Sequence, residues 1–300
     1  MWAAILRTMR IADAFGPGRP PVVSFEFFPP KSPEAEARLF ETVAQLAPLR
    51  PTFVSVTYGA GGATRRLTRD IVTRIKRDLG IEAMAHLTCL GHTAAELAEI
   101  LDGLTAAGIE NVLALRGDPP KGETTFTPTA GGFAHGAELA AFIHGRWDVC
   151  IVGAAYPEKH QEAPDLDTDL RHLREKVANG AEVLITQLFF EAQTYFAFVR
   201  RARAAGIDTP IVPGIMPVTN VSQIERFTSL CGASIPASLR DLLAGSRDDD
   251  AAVTAIGIEW ARDQCRALLE GGAPGLHFYT LNRSHSTREI LGLLRAEGRV

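Results

Sequence analysis

The chain is poor in cysteine. Its 300 residues hold four, Cys89, Cys150, Cys231 and Cys265. They lie far apart, and none forms a CxxC or Cys/His pair at zinc spacing. That excludes a disulfide-stapled scaffold or a zinc module, and predicts reduced thiols in a cytoplasmic protein. No apolar run is long enough to span a bilayer, so no membrane association is expected. Near the N-terminus Arg7 interrupts any signal-peptide core, and no cleavage pattern follows. Charge of one sign is also missing. Lys and Arg total 31 against 35 Asp and Glu, giving a net charge of −4 with the signs interspersed. Without a basic stripe or a base-stacking motif, nucleic acid is not an expected partner. There is no nucleophile elbow, no P-loop and no two-histidine-plus-carboxylate cluster at metal spacing. No catalytic metal is therefore predicted.

What is present is alternation. Short β-rich runs at 22–28, 53–59, 82–89, 111–117, 149–156, 182–190, 210–216 and 276–282 are separated by amphipathic stretches. These stretches lie near 34–46, 65–79, 93–107, 136–145, 166–179, 191–205, 220–231 and 251–271, with a last helix at 286–296. Gly80, Gly108, Gly180 and Gly206 stand where helices should end, and Thr93 and Asp165 where helices should begin. Eight strands each followed by a helix is the pattern of a (β/α)8 TIM barrel. An open doubly wound sheet is the alternative, but it would carry a glycine-rich turn after strand one. Phe27-Phe28-Pro29-Pro30 stands there instead. Residues 1–300 read as one catalytic barrel domain, with an N-terminal helical extension over 1–20. Its apolar face at 2–15 would pack on the body or serve an interface. The stretch 117–135 reads as a long loop, and Ser246–Asp250 as solvated surface.

In a barrel, chemistry collects at the C-terminal strand ends, and here those ends are polar. Strand one places Glu26 inside Ser24-Phe25-Glu26-Phe27-Phe28. A carboxylate there needs a raised pKa, a partner, or both, which makes Glu26 a general acid/base candidate. Strand two ends at Thr57-Tyr58 and enters the glycine run 59–62. Strand three carries His86 and Thr88, strand four Arg116-Gly117-Asp118, and strand five Ala154, Tyr156 and His160. Strand six carries Gln187, and strand eight His277, Tyr279, Asn282 and Arg283. Singly, each has a structural reading. His86 could be a hydrogen-bonded core histidine, the glycine run a turn, Arg116 and Asp118 a surface ion pair, and Tyr156 a strand-end aromatic. Together they exceed what a stable barrel needs on its inward positions. One buried acid, aromatic platforms and neutral hydrogen-bonding groups suit a large planar polar ligand.

In order along 20–295 the chain carries Ser-Phe-Glu-Phe-Phe-Pro-Pro, Val-Thr-Tyr-Gly-Ala, His-Leu-Thr-Cys, Leu-Arg-Gly-Asp, Ala-Tyr-Pro-Glu-Lys-His, Ile-Thr-Gln-Leu-Phe-Phe, Pro-Gly-Ile-Met-Pro and His-Phe-Tyr-Thr-Leu-Asn-Arg. In these motifs it resembles the methylenetetrahydrofolate reductase family in its bacterial, flavin-containing form. The resemblance implies a ping-pong reaction. NADH, or NADPH, reduces FAD, and the flavin then reduces 5,10-methylenetetrahydrofolate to 5-methyltetrahydrofolate. It implies Glu26 as general acid and Asp118 as the carboxylate favouring a cationic iminium carbon. It implies Gln187, Phe227, Tyr279 and Arg283 at the folate and nicotinamide pocket. Thr57, His86, Arg116, Gly117, Asp118, Phe133, Ala134, Ala154, Tyr156, His160, Asp169, His172 and Lys176 are implied as FAD contacts. Phe133-Ala134-His135 departs from the family's tyrosine-alanine-serine, and His172 from its asparagine. A homo-oligomer without control by adenosylmethionine is the further expectation. Alternatives are another FAD-dependent barrel oxidoreductase, such as a proline-oxidising one, a flavin-free reductase, a folate-dependent methyl transferase, or a folate-binding partner subunit.

Overall fold

The computed structural model describes residues 9–58, 65–118 and 126–300, with all side chains except those of Arg65 and Arg66. Eight strands close into a parallel barrel in chain order. They are β1 (Val22–Phe27), β2 (Phe53–Val56), β3 (Ala83–Thr88), β4 (Asn111–Leu115), β5 (Cys150–Ala155), β6 (Ala181–Leu188), β7 (Ile211–Ile215) and β8 (Gly275–Tyr279). Closure is made by β1 and β8, which pair from Val22 with Gly275 up to Glu26 with Tyr279. The strands stop one to three residues short of several expected ends. There the backbone leaves the ladder to carry polar side chains.

The helices are α1 (Pro33–Leu46), α2 (Arg65–Leu79), α3 (Ala94–Ala106), α4 (Gly136–Ile143), α5 (Leu166–Ala178), α6 (Ala192–Ala204), α7 (Val221–Cys231), α8 (Ala237–Ala244), α9 (Asp250–Glu270) and α10 (His285–Ala296). The caps fall where the sequence puts them. Thr93 and Glu96 form a reciprocal capping box on α3, and Asp165 accepts from the Thr168 N–H at 2.7 Å on α5. Helix α8 was not expected. It has only eight residues and buries Leu239 and Leu243 alone, too little period to read. The Ser246–Asp250 run is more than surface, because Asp249 caps α9.

Alternation along the strands sorts two apolar layers. Outward residues such as Phe25, Val54 and Leu87 pack under Leu39, Ile75 and Leu97 of the helices. Inward residues Val22, Phe53, Met84, Leu113, Val152 and Val212 fill the lower barrel. Both faces are covered, which is why β1 is buried throughout.

The N-terminal expectation needs correction. Residues 1–8 of the expected extension lie outside the described residues. From Met9 onward there is one 3-10 turn, Ile11–Ala14, and no longer helix before β1. Ile11, fully buried, joins the inward layer and plugs the barrel floor. Its N–H donates to Asn111 Oδ1 at 2.7 Å, while Asn111 Nδ2 donates to Met9 O and Glu82 Oε1. Glu82 is paired with buried Lys76 at 2.8 Å, and Arg10 reaches Asp148 and Glu182 at 2.7 Å each. The inserted Ile11 side chain, the Asn111 hydrogen bonds and the Arg10 ion pairs together tie residues 9–14 down. The Gly16-Pro17-Gly18 run then prevents a helix from continuing. The expected glycine run at 59–62 and residues 119–125 of the loop after β4 also lie outside the described residues. No described helix is long and apolar enough to cross a membrane.

Candidate active site

The inward layer turns polar at the C-terminal end of the barrel. Ser24 and Glu26 alternate with Phe25 and Phe27 on β1, so the serine and the carboxylate point inward. Glu26 is 7% exposed. Its Oε2 lies 3.4 Å from His277 Nε2 and 3.5 Å from His86 Nε2. His277 is fully buried, and its Nδ1 lies 2.8 Å from Ser24 Oγ. With the hydrogen on Nε2, His277 donates to Glu26 and accepts from the serine hydroxyl. Burial pushes His86 down to about 4, so it is neutral near pH 7 and presents no imidazolium to Glu26. His86 Nε2 and Ser55 Oγ have no hydrogen-bond partner among the described residues. Buried polar atoms of this kind mark a place for a ligand or water. Two imidazoles and a carboxylate do meet here, although sequence spacing showed no such cluster. Both nitrogens approach one oxygen, and no described group of three is arranged to hold a metal ion.

Tyr279 is the register neighbour of Glu26 on β8, and its hydroxyl donates to Thr186 O at 2.6 Å across β7. Gly214 makes that reach possible. A Cβ there would stand 2.3 Å from Thr186 O and 2.8 Å from the Tyr279 hydroxyl. Tyr279 and Phe227 belong to the apolar cluster of Phe190, Met216 and Ile224 beside the mouth. Gln187, half-buried, lends its Oε1 to the Leu188 N–H at 2.9 Å.

A second group forms over β4 and β5. Gly117 takes φ +91°, and a Cβ there would stand 2.9 Å from Leu90 Cβ, so only glycine turns this tightly over β3. Arg116, largely buried, makes a bidentate pair with Glu162, the second contact Nη2 to Oε1 at 2.8 Å, and its guanidinium lies 4.9 Å from the Phe126 ring centre. Glu162, not Asp118, is its ion-pair partner. Asp118 is exposed at the rim. The Glu162 N–H donates to His160 Nδ1, and the His160 N–H donates to Asp169 Oδ2 at 3.1 Å. His160 stands edge-on to Tyr156 at 4.7 Å. Burial first, then the Arg116 charge, lowers its pKa. Lys176 Nζ donates to Ala154 O at 2.5 Å, and burial brings it down to about 8. The charge of Asp169, whose own pKa burial raises, opposes that fall.

Other expected positions are looser. Thr57 is half-buried after β2, where its carbonyl accepts from the Thr68 hydroxyl. Phe133 packs on Phe142 at 5.0 Å, and the Ala134 N–H donates to Glu138. His172 and Arg283 are exposed. Sequence reading did not single out Ser24, Ser55, Thr186 or Glu162, and did not assign His277 a role. His277 had a readable signal, since it stands two residues before Tyr279 and so shares its face. Glu162 had none, because only the fold of the loop brings it to Arg116.

Compared with known proteins, residues 12–295 match the family model described as methylenetetrahydrofolate reductase. The chain is 40% identical to "Methylenetetrahydrofolate reductase (NADH) 1" of Arabidopsis thaliana over 279 residues, covering 89% of this chain and 47% of that protein. It is 39% identical to "5,10-methylenetetrahydrofolate reductase" of Escherichia coli (strain K12) over 268 residues, covering 89% of this chain and 88% of that protein. The chain thus spans about half the length of the plant relatives it matches and most of the bacterial one. Among solved structures, a protein from Clostridium thermocellum that binds two copies of 5-methyl-5,6,7,8-tetrahydrofolic acid superposes with TM-score 0.63 at 14% identity, covering 93% of this chain and 95% of that one. Dihydropteroate synthase from Xanthomonas albilineans superposes with TM-score 0.52 at 15% identity, covering 94% of each chain. At such identities these structures speak to the barrel fold alone.

Proposed function

The chain belongs to the methylenetetrahydrofolate reductase family, and on that premise we propose that it reduces 5,10-methylenetetrahydrofolate to 5-methyltetrahydrofolate with NADH and FAD. The observation that carries the reading is a carboxyl group, Glu26, buried at the barrel mouth against His86 and His277. Opening the five-membered ring of the substrate requires a proton at a weakly basic nitrogen. A sequestered carboxyl within reach of that nitrogen is the group to give it. The iminium carbon so formed is cationic, and Asp118 at the rim is assigned to favour it by Coulomb attraction. Gln187 is assigned to the pterin edge, where donor and acceptor are both needed. Phe227 and Tyr279 provide the aromatic wall against which nicotinamide or pterin lies.

FAD, when bound, supplies the two-electron relay between nicotinamide and folate. The residues present suit it. His86 Nε2, buried and without a hydrogen-bond partner among the described residues, suits a polar ligand atom. Arg116 and Lys176 are the cations that a pyrophosphate needs. Asp169 suits a ribose hydroxyl, and Gly117 lets main chain approach closely. Thr57, Phe133, Ala134, Ala154, Tyr156, His160 and His172 complete the proposed contacts, and Arg283 lies at the rim on the folate side.

The test is an anaerobic visible spectrum of the FAD-loaded protein, titrated with NADH and then with methylenetetrahydrofolate. A flavin band that bleaches with NADH and returns with the folate supports the reading. A band that bleaches and stays bleached in the presence of the folate overturns the substrate assignment.

A further inference from the structure

Beyond Tyr279 the chain turns through Leu281 at φ +50° and Asn282 at φ +57°. Two consecutive left-handed residues, neither of them glycine, are strained. Such strain persists where the surroundings over-determine it. The surroundings here are the end of β1. Asn282 Oδ1 accepts from the Phe28 N–H at 2.8 Å, and Asn282 Nδ2 donates to Phe28 O at 2.9 Å. One side-chain amide thus pairs with both backbone groups of a residue two positions past Glu26. Thr280 completes the tie. Its hydroxyl donates to Glu26 O at 2.6 Å and accepts from the Asn282 N–H at 3.2 Å. An asparagine side chain offers a peptide-like donor and acceptor in one plane. Here it extends the β1–β8 ladder past the point where the strands end.

Fold closure does not require this. The two strands already pair over five registers below the turn. Phe28 is 38% exposed, so water could satisfy its backbone groups. The strained turn therefore fixes geometry at the mouth more than it adds to packing. We propose that Asn282 is a positioning residue for the folate step, holding the main chain around Glu26 so that its carboxyl meets the substrate nitrogen. The inference rests on the function proposed above. Near-attack geometry is steep, and a displacement of about 1 Å can cost on the order of a hundredfold in rate.

Three variants test it. Asn282→Gly removes both amide bonds while accepting the left-handed turn without strain. Asn282→Ala removes them and keeps the strain. Asn282→Asp keeps the acceptor for the Phe28 N–H and loses the donor. The expected result in the glycine and alanine variants is a folate step slowed at least tenfold in rapid mixing. NADH-driven bleaching and the FAD dissociation constant should stay within about twofold of wild type, and Asn282→Asp should fall between. In the protein with no cofactor added, amide exchange at Phe28 should quicken in Asn282→Gly. A folate step within twofold of wild type in Asn282→Gly overturns the inference. So does a parallel fall of both half-reactions, which would indicate general loosening. A wild-type protein that never returns its flavin band on adding folate removes the proposed function and this inference together.

Discussion

Glu26 is the residue on which most depends. Replacing it with Gln keeps its size and an acceptor oxygen but removes the group proposed to give the proton. Glu26→Gln is expected to leave NADH-driven flavin bleaching near wild type and to slow the folate step by about 10²–10⁴-fold. Stopped-flow traces of the two half-reactions separate these effects. His86 carries a pH signature of its own. Burial disfavours its imidazolium and holds its pKa at about 4, against the ordinary histidine value of 6.5. Between those values the unfolded chain holds a proton that the native chain does not. Stability should therefore fall as pH drops from 6.5 toward 4, by at most about 3 kcal/mol from this group. Urea midpoints across that range should flatten in His86→Asn. Lys176 bears on the proposed FAD site instead. Its charge is present below about pH 8 and lost above it, so FAD should bind more weakly as pH rises through 8. Lys176→Met should bind weakly throughout and lose that dependence in a fluorescence titration. Glu26 was legible in sequence because a lone acid in an aromatic strand breaks a local rule. Glu162 and Asn282 were not assigned, because each acts on a group far off in sequence, 46 residues away for Glu162 and 254 for Asn282.

At the level of elements, periodicity and glycine punctuation were enough to place eight strands and most helices. Short segments held by tertiary contact were not readable in that way. Helix α8 buries two leucines, and the N-terminal segment buries one isoleucine in the barrel floor. Ile11→Ala should cost about 2–4 kcal/mol, as for other deletions in well-packed cores. Denaturant unfolding would measure it, and a loss below about 0.5 kcal/mol would mean that the plug is dispensable. Gly214 on β7 makes the complementary point. A methyl group there would meet Thr186 O at 2.3 Å, a backbone atom that cannot swing aside. Gly214→Ala should destabilise the barrel by about 1–3 kcal/mol and release the Tyr279 hydroxyl from Thr186. Tyr279 fluorescence and the melting temperature would both change.

Across the whole molecule, the even spread of charge and the scarcity of cysteine were plain in the composition, but thiol accessibility was not. Cys89, Cys150 and Cys265 are buried and Cys231 is partly exposed. Burial pushes the Cys89 and Cys150 thiols up to about 12. Of the four, Cys231 alone should react with an aromatic disulfide reagent in the native protein, and Cys231→Ser should abolish that reaction. Barrel closure was likewise inferred from a count, since the sequence does not display the pairing of β1 with β8.

A barrel open at both ends would let water reach an interior carboxyl from below while a ligand sat above it. Ile11 and the apolar layer over it shut that lower route, so Glu26 meets bulk water through the mouth. A planar ligand lying across the mouth makes the barrel a stoppered flask. Under the proposed function, whatever hydrogen isotope the carboxyl holds when the ligand arrives stays inside until it is transferred or the ligand leaves. Isotope wash-out from Glu26 would then be timed by ligand departure, not by the intrinsic exchange rate of a carboxylic acid.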